Sequence, residues 1–135
     1  MHDQIGNELT LSFYTPNTAI TPNLIRTKQN LSIFNLYAIS DCKIATFFAE
    51  DLSFLMSSNR EISDWANTVL QKELLQKIEK EINQASLNAK ERLLAFRDKY
   101  PALENQIPHA FIASYLGITT VSLSRIRKEL SHKNR

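Results

Sequence analysis

The chain has 135 residues, 43% of them hydrophobic and 22% charged, and a formal net charge of +2. This balance is typical of a soluble, folded domain, and the two glycines, Gly6 and Gly117, are too few for a Gly-rich dinucleotide or phosphate loop. No apolar run approaches the roughly 20 residues of a membrane span, and no signal-peptide pattern opens the chain. A single cysteine, Cys42, cannot form an intrachain disulfide. We therefore expect a cytoplasmic protein with no membrane partner.

Patterns that carry catalysis or metal binding do not occur in the sequence. The three histidines, His2, His109 and His132, have no zinc-ligand spacing with one another or with Cys42. Neither a Gly-x-Ser-x-Gly elbow nor a His-Glu-x-x-His helix is found. The sequence favours a protein that is not an enzyme and that binds no catalytic metal or cofactor.

The first 48 residues favour β-structure. Apolar and polar side chains alternate over residues 8–14, which predicts a half-buried strand. Pro16 and Asn17 predict a turn. Residues 32–39 predict a second strand, and residues 43–48 would pair back as a hairpin. Because so few strands leave open edges, the sheet would need cover from helices or from another chain.

Helices are predicted from Ala49 onward, and one of them is long. Residues 59–84 contain no Gly or Pro, and their apolar positions recur at steps of mostly three and four. A helix of about 26 residues spans about 39 Å and needs a partner along its apolar stripe. The partner could be the chain's own sheet, but the sheet is small, so we favour a two-helix seam between subunits. The predicted dimerisation residues are Ile62, Trp65, Val69, Leu74, Ile78 and Ile82.

The segment of residues 109–128 (HAFIASYLGITTVSLSRIRK) has the pattern of a helix-turn-helix. Ala113 is small where a second helix must cross, and Gly117, four positions on, suits a left-handed helix end. Thr119 suits the N-cap of the next helix. An αα-hairpin used only for packing is the alternative. Seven residues fit the motif together: Ile112, Ala113, Leu116, Gly117, Ile118, Leu123 and Ile126.

Positive charge is concentrated after this turn, which favours DNA as the partner. Residues 120–135 carry a net charge of +4, and cations there would neutralise backbone phosphates. Arg125 can reach guanine O6 and N7, and Thr120 and Val121 could meet a base edge. Thr119, Arg127 and Lys128 are expected to hold phosphates. The predicted DNA-binding residues are Thr119, Thr120, Val121, Ser122, Ser124, Arg125, Arg127 and Lys128.

Residues 89–96 (AKERLLAF), Pro101-Ala-Leu and residues 107–130 (IPHAFIASYLGITTVSLSRIRKEL) resemble the Crp/Fnr family of bacterial transcription regulators, in the form common in Bacteroidetes. The resemblance is specific over residues 87–130 and weaker over residues 8–84. It implies an α+β fold in three parts. These are a partial antiparallel β-roll of the cyclic-nucleotide-binding type in residues 1–56, a long dimerisation helix in residues 57–86 and a helix-turn-helix domain in residues 87–135. The family's recognition-helix arginine falls on Arg125.

The chain departs from this family in two respects. It starts in the middle of the family's roll, so the barrel would not close in the family's usual way. The chain could be a fragment, a shortened gene product or a natural variant with an open half-roll. The phosphate-binding cassette has no counterpart between residues 15 and 31, and the family's phosphate-binding arginine falls on Ser32. Cyclic-nucleotide binding is therefore not expected, and the cysteines of an iron–sulfur branch are missing. The partners that the resemblance implies are double-stranded DNA, a second copy of the chain and RNA polymerase.

These observations favour a sequence-specific, dimeric transcription regulator. Two alternatives remain. The half-roll could sense a small molecule in a pocket lined by Leu9, Leu11, Phe13, Phe34 and Phe47. The chain could also be an interaction module whose long helix dimerises with related regulators.

Overall fold

A computed structural model describes residues 9–20 and 34–133. Five α-helices follow one another in this part of the chain: α1 (Ala49–Ser58), α2 (Arg60–Ser86), α3 (Ala89–Lys99), α4 (His109–Leu116) and α5 (Thr120–Lys133). A 3-10 turn, Leu103–Asn105, lies between α3 and α4.

The chain divides into two compact units. Among the described residues, one unit is formed by residues 79–133 together with residues 9–13, and the other by residues 14–20 and 34–78. This grouping differs from the three predicted parts in two places. The boundary falls inside α2 rather than at its ends, and residues 9–13 belong with the C-terminal helices rather than with an N-terminal domain.

The predicted α+β fold is wrong, because the described residues contain no β-strand and no sheet. Residues 9–13 illustrate the reason: helix side chains bind the backbone groups that a neighbouring strand would use. The N–H of Thr10 donates to Ser114 Oγ, and the carbonyls of Thr10 and Leu11 accept from Lys80 Nζ. An alternating sequence becomes a strand only when a second strand supplies the ladder of hydrogen bonds.

The other β-structure predictions have mixed outcomes. A turn forms at Pro16 and Asn17, as predicted, and Asn17 has a φ of 62°. Residues 43–48 form no hairpin, and Phe47 is 62% exposed, so it does not line an enclosed pocket. Residues 8, 32 and 33 of the predicted strands lie outside the described residues, and residue 32 is Ser32, on which the family's phosphate-binding arginine falls. Residues 21–31 of the segment predicted to lack the phosphate cassette also lie outside them.

The helices begin and end close to the predicted positions. α1 begins at Ala49 with Glu50 and Asp51 in its first turn, where carboxylates interact favourably with the helix dipole. Asn59 ends α1 in an extended conformation. Its Oδ1 then accepts from the N–H groups of Glu61 at 2.9 Å and Ile62 at 3.3 Å, and so caps α2.

α3 starts with a capping box. The side chain of Asn88 accepts from the N–H groups of Lys90 and Glu91, while Glu91 accepts from the N–H of Asn88. These reciprocal bonds satisfy donors that a helix start leaves free. They fix where α3 begins, and therefore which of its residues face the core.

The core lies among α3, α4 and α5. Six side chains are buried there: Leu93, Phe96, Ile112, Ala113, Leu116 and Leu123. Leu93 and Phe96 form the inner face of α3, whereas Leu94, which lies between them in the sequence, is 45% exposed. Ile126 and Leu130 pack against the cluster from α5. This core joins the two helices of the predicted motif to α3.

Candidate nucleic-acid interface

The turn between α4 and α5 has the geometry of a Schellman motif. Gly117 follows α4 with φ 67° and ψ 37°. The N–H of Ile118 donates to the carbonyl of Ala113 at 3.0 Å, and the N–H of Gly117 donates to that of Ser114 at 3.1 Å. These are the two bonds that close this type of helix end. Because Ile118 also packs against the core, the turn is fixed by both hydrogen bonds and apolar contact.

Thr119 caps α5, as its place in the sequence predicts. Its Oγ1 accepts from the N–H of Ser122 at 3.1 Å and donates to Ser122 Oγ at 2.9 Å. The carbonyl of Thr119 accepts from the N–H of Leu123 at 3.0 Å. Two of the predicted DNA-binding side chains, Thr119 and Ser122, therefore already serve to start the helix. Their contact with DNA stays a prediction.

Five of the predicted DNA-binding residues share one open, solvent-facing side of α5. They begin with the first residue of the helix and recur at helical spacing, so they form a continuous strip. We name this strip the α5 face, and its residues are Thr120, Val121, Ser124, Arg125 and Lys128. Val121 is 68% exposed, although it is the kind of residue that normally packs inside. Arg125 and Lys128 make this face positive, and no carboxylate lines it.

Arg127 points to the opposite side of α5, toward the interior of its unit. Its Nε lies 2.7 Å from Oε1 of Glu104, and its Nη1 lies 3.2 Å from Nδ1 of His109. Arg97 of α3 binds the same carboxylate, with Nη2 at 3.0 Å from Oε1. The guanidinium predicted to hold a phosphate is thus already paired, and we leave it out of the α5 face.

Glu104 is the residue at the centre of this arrangement, and it is only 7% exposed. Its hydrogen bond with Arg97, more than the bond with Arg127, lowers the pKa of the carboxyl group below 4.5 and keeps it ionised. Sequence reasoning missed Glu104, because no spacing rule connects a loop glutamate with an arginine 23 positions later. The Asn88–Glu91 capping box was also missed, although its spacing of three residues is a signal that a sequence can show.

The predicted dimerisation residues lie along α2, whose 27 residues span about 40 Å. Within this helix only Ala66 is buried. Ile62 and Val69 are half-buried. The other four predicted residues are exposed, namely Trp65, Leu74, Ile78 and Ile82, and so is Leu75.

The chain matches no protein-family model, no curated protein and no solved structure. None of the described helices is both long enough and apolar enough to cross a membrane. The case for a function therefore depends on the chain's own residues.

Proposed function

We propose that this protein is a sequence-specific DNA-binding transcription regulator of the Crp/Fnr kind, which binds DNA as a dimer through α4 and α5. In this proposal α5 is the recognition helix and enters the major groove with its N-terminal half. The α5 face is the observation that carries the proposal, because it is exposed, free of carboxylates and positive.

The chemistry of the α5 face suits both kinds of DNA contact. Arg125 has the planar donor pair that reads O6 and N7 of guanine. The methyl groups of Val121 and Thr120 can pack on a thymine methyl, and Lys128 can neutralise a phosphate. The capped start of α5 also presents backbone N–H groups, which favour an anion at this end of the helix.

The rigidity of the motif supports the same function. A side chain discriminates between bases only if its helix is held in a fixed orientation. Here three features restrain α5 without using any residue of the α5 face. They are the Schellman turn at Gly117, the cap at Thr119 and the ion pair of Arg127 with Glu104. An αα-hairpin used only for packing would have no need to keep Val121 and Arg125 in solvent.

The exposed apolar residues of α2 support a dimer. Leu74 is 60% exposed and Trp65 48%, and exposed apolar groups at helical spacing mark a site of association. Two copies paired through α2 would present two recognition helices. Dimeric regulators of this type bind half-sites about 34 Å apart.

The experiment that tests this function is selection of duplex DNA from a random pool at near-physiological salt, followed by binding measurements on the enriched site. The Arg125→Ala variant should lose about 1–3 kcal/mol of specific binding and should relax discrimination at one base pair. Arg60→Ala is the matched control, since it removes the same charge from an exposed arginine outside the α5 face. Failure to enrich a two-fold-symmetric site, or unchanged discrimination in Arg125→Ala, would refute the proposal.

A further inference from the structure

Residues 9–13 form neither a helix nor a strand and lie on the unit that contains the helix-turn-helix. Three hydrogen bonds hold their backbone. The N–H of Thr10 donates to Ser114 Oγ at 2.9 Å, and Lys80 Nζ donates to the carbonyls of Thr10 at 3.3 Å and Leu11 at 2.8 Å. Bonds of this kind bind an extended chain whatever its side chains are.

Phe13 adds the side-chain contact. Its ring centroid lies 5.9 Å from that of Phe96, 6.0 Å from that of Tyr100 and 5.2 Å from that of Tyr115. The contacts with Phe96 and Tyr100 are edge-to-face, which is a favourable geometry for aromatic pairs. Three rings from α3, its C-terminal end and α4 thus surround one position of the segment, and an aromatic residue fits that position.

Lys80 connects the backbone contacts with the aromatic ones. Its Nζ lies 4.1 Å from the centre of the Tyr115 ring, while it binds the two carbonyls. Lys99, which pairs with Glu79 at 3.8 Å, lies with its Nζ 5.7 Å from the centre of the Tyr100 ring. Lys80 belongs to α2 and Ser114 to α4, so the segment joins helices that are far apart in the sequence.

We propose that the surface formed by Lys80, Phe96, Tyr100, Ser114 and Tyr115 is a peptide-binding groove and that its occupant is the chain's own segment of residues 9–13. The groove recognises an extended peptide with an aromatic residue three positions after the residue whose N–H is bound. The bound segment holds α4 against the C-terminal end of α2. This inference does not depend on DNA binding.

The first test uses the full chain with Phe13→Ala. Thermal unfolding of the variant should occur roughly 5–10 °C lower, because an aromatic contact with the core is lost. Amide exchange at Thr10 should rise toward the rate of an unprotected amide. Phe48→Ala is the matched control, because Phe48 is largely exposed and lies in the other unit. It should change neither quantity.

The second test restores the contact with a separate peptide. The probe is a synthetic peptide of residues 9–15 (LTLSFYT), added in excess to the Phe13→Ala variant. It should raise the unfolding temperature of the variant, whereas the same peptide with alanine at the position of Phe13 should not. Wild-type protein should bind the peptide much more weakly, because its groove is occupied.

Lys80→Met provides an independent variant if Phe13→Ala does not fold. It keeps an unbranched apolar stem but removes both hydrogen bonds to the segment. It should raise amide exchange at Thr10 while the cap of α5 stays protected at the N–H of Ser122. Unchanged exchange at Thr10 in both variants, or equal peptide binding by wild type and Phe13→Ala, would overturn the proposal.

Discussion

Glu104, which is buried, and Arg127, which is half-buried, form an ion pair that connects the second helix of the motif to the turn before the first, with 2.7 Å between Oε1 and Nε. Arg97 binds the same carboxylate from α3. The buried carboxylate thus bridges two arginines whose side chains stay about one-third exposed, Arg97 at 35% and Arg127 at 32%. The orientation of α5 therefore depends on a residue that lies outside the α5 face.

Replacing Glu104 with glutamine should lower the free energy of unfolding at pH 7 by about 2 kcal/mol, since charged hydrogen bonds are lost while both arginines stay. Chemical denaturation of wild type and Glu104→Gln would measure the difference. Glu61→Gln, on the exposed first turn of α2, is a control expected to change little.

The effect of Glu104 should depend on pH in a direction fixed by its pKa. The hydrogen bond with Arg97, and to a smaller extent the one with Arg127, lowers the pKa of Glu104 below the ordinary 4.5. Between the folded and unfolded pKa values the unfolded chain binds more protons, so the stabilisation is complete above pH 4.5 and is lost as the pH falls through the folded value. The difference between wild type and Glu104→Gln should therefore shrink in acid. An equal difference at pH 7 and pH 3 would contradict this account.

Gly117→Ala should destabilise the protein by about 1 kcal/mol through its backbone alone. The φ of 67° is costly for a residue with a Cβ, yet an added Cβ would meet nothing closer than Gln84 Nε2 at 4.0 Å. Gly117→Asn should cost less, because asparagine tolerates the left-handed conformation. Thermal unfolding of the two variants would check the order. If Gly117→Asn lost more stability than Gly117→Ala, a steric contact rather than the backbone conformation would determine the cost of the substitution.

The helices could be predicted from the sequence because their signals are local. The αL position of Gly117, the cap at Thr119 and the start of α1 at Ala49 each depend on residues within one turn of the chain. The predicted β-roll is wrong because the alternation in residues 8–14 predicts only an extended segment with one buried side. It does not predict which part of the protein covers that side. In this chain Leu9 and Leu11 stay 38% and 39% exposed, and helix side chains bind the backbone and Phe13 instead. Among these side chains are Lys80 and Tyr115, which lie about 70 and 100 positions later. No sequence period connects such distant groups.

The free energy of unfolding in mild alkali should depend on the burial of Lys80. The pKa of Lys80 is lowered from 10.5 to about 8, mainly by burial and to a smaller extent by repulsion from Lys99. Between these values the unfolded chain binds more protons, so this lysine makes the folded state more stable as the pH rises from about 8 toward 10.5. A neutral amine still has two N–H groups for the carbonyls of Thr10 and Leu11, so the contacts persist.

Denaturation between pH 7 and pH 9.5 would measure this slope. The range ends below the pKa of Tyr115, which burial raises above 10.0. Lys80→Met should remove the rise in stability, and Lys90→Met, on a different helix, should retain it. A wild-type profile that is flat across this range would contradict the prediction.

Association of two copies through α2 is the prediction that links the fold most directly to DNA binding. Ile78 lies among the exposed apolar residues of the helix, with Leu74, Leu75 and Ile82 nearby. By two-fold symmetry, one substitution removes its side chain from both sides of the interface. Burying an isoleucine contributes about 1.5–3 kcal/mol, so Ile78→Asp should weaken the dimer by about 100-fold or more.

Analytical ultracentrifugation across a concentration series would give the dimer dissociation constant. Gln76→Asp is the matched control, because it adds the same carboxylate to an exposed polar position two residues away on α2. We expect Gln76→Asp to sediment like wild type, as a dimer, and Ile78→Asp to sediment as a monomer. The monomeric variant should also lose affinity for a two-fold-symmetric site but retain its affinity for a single half-site, since the α5 face is unaltered. A wild-type chain that is monomeric at all concentrations would show that α2 does not pair two copies.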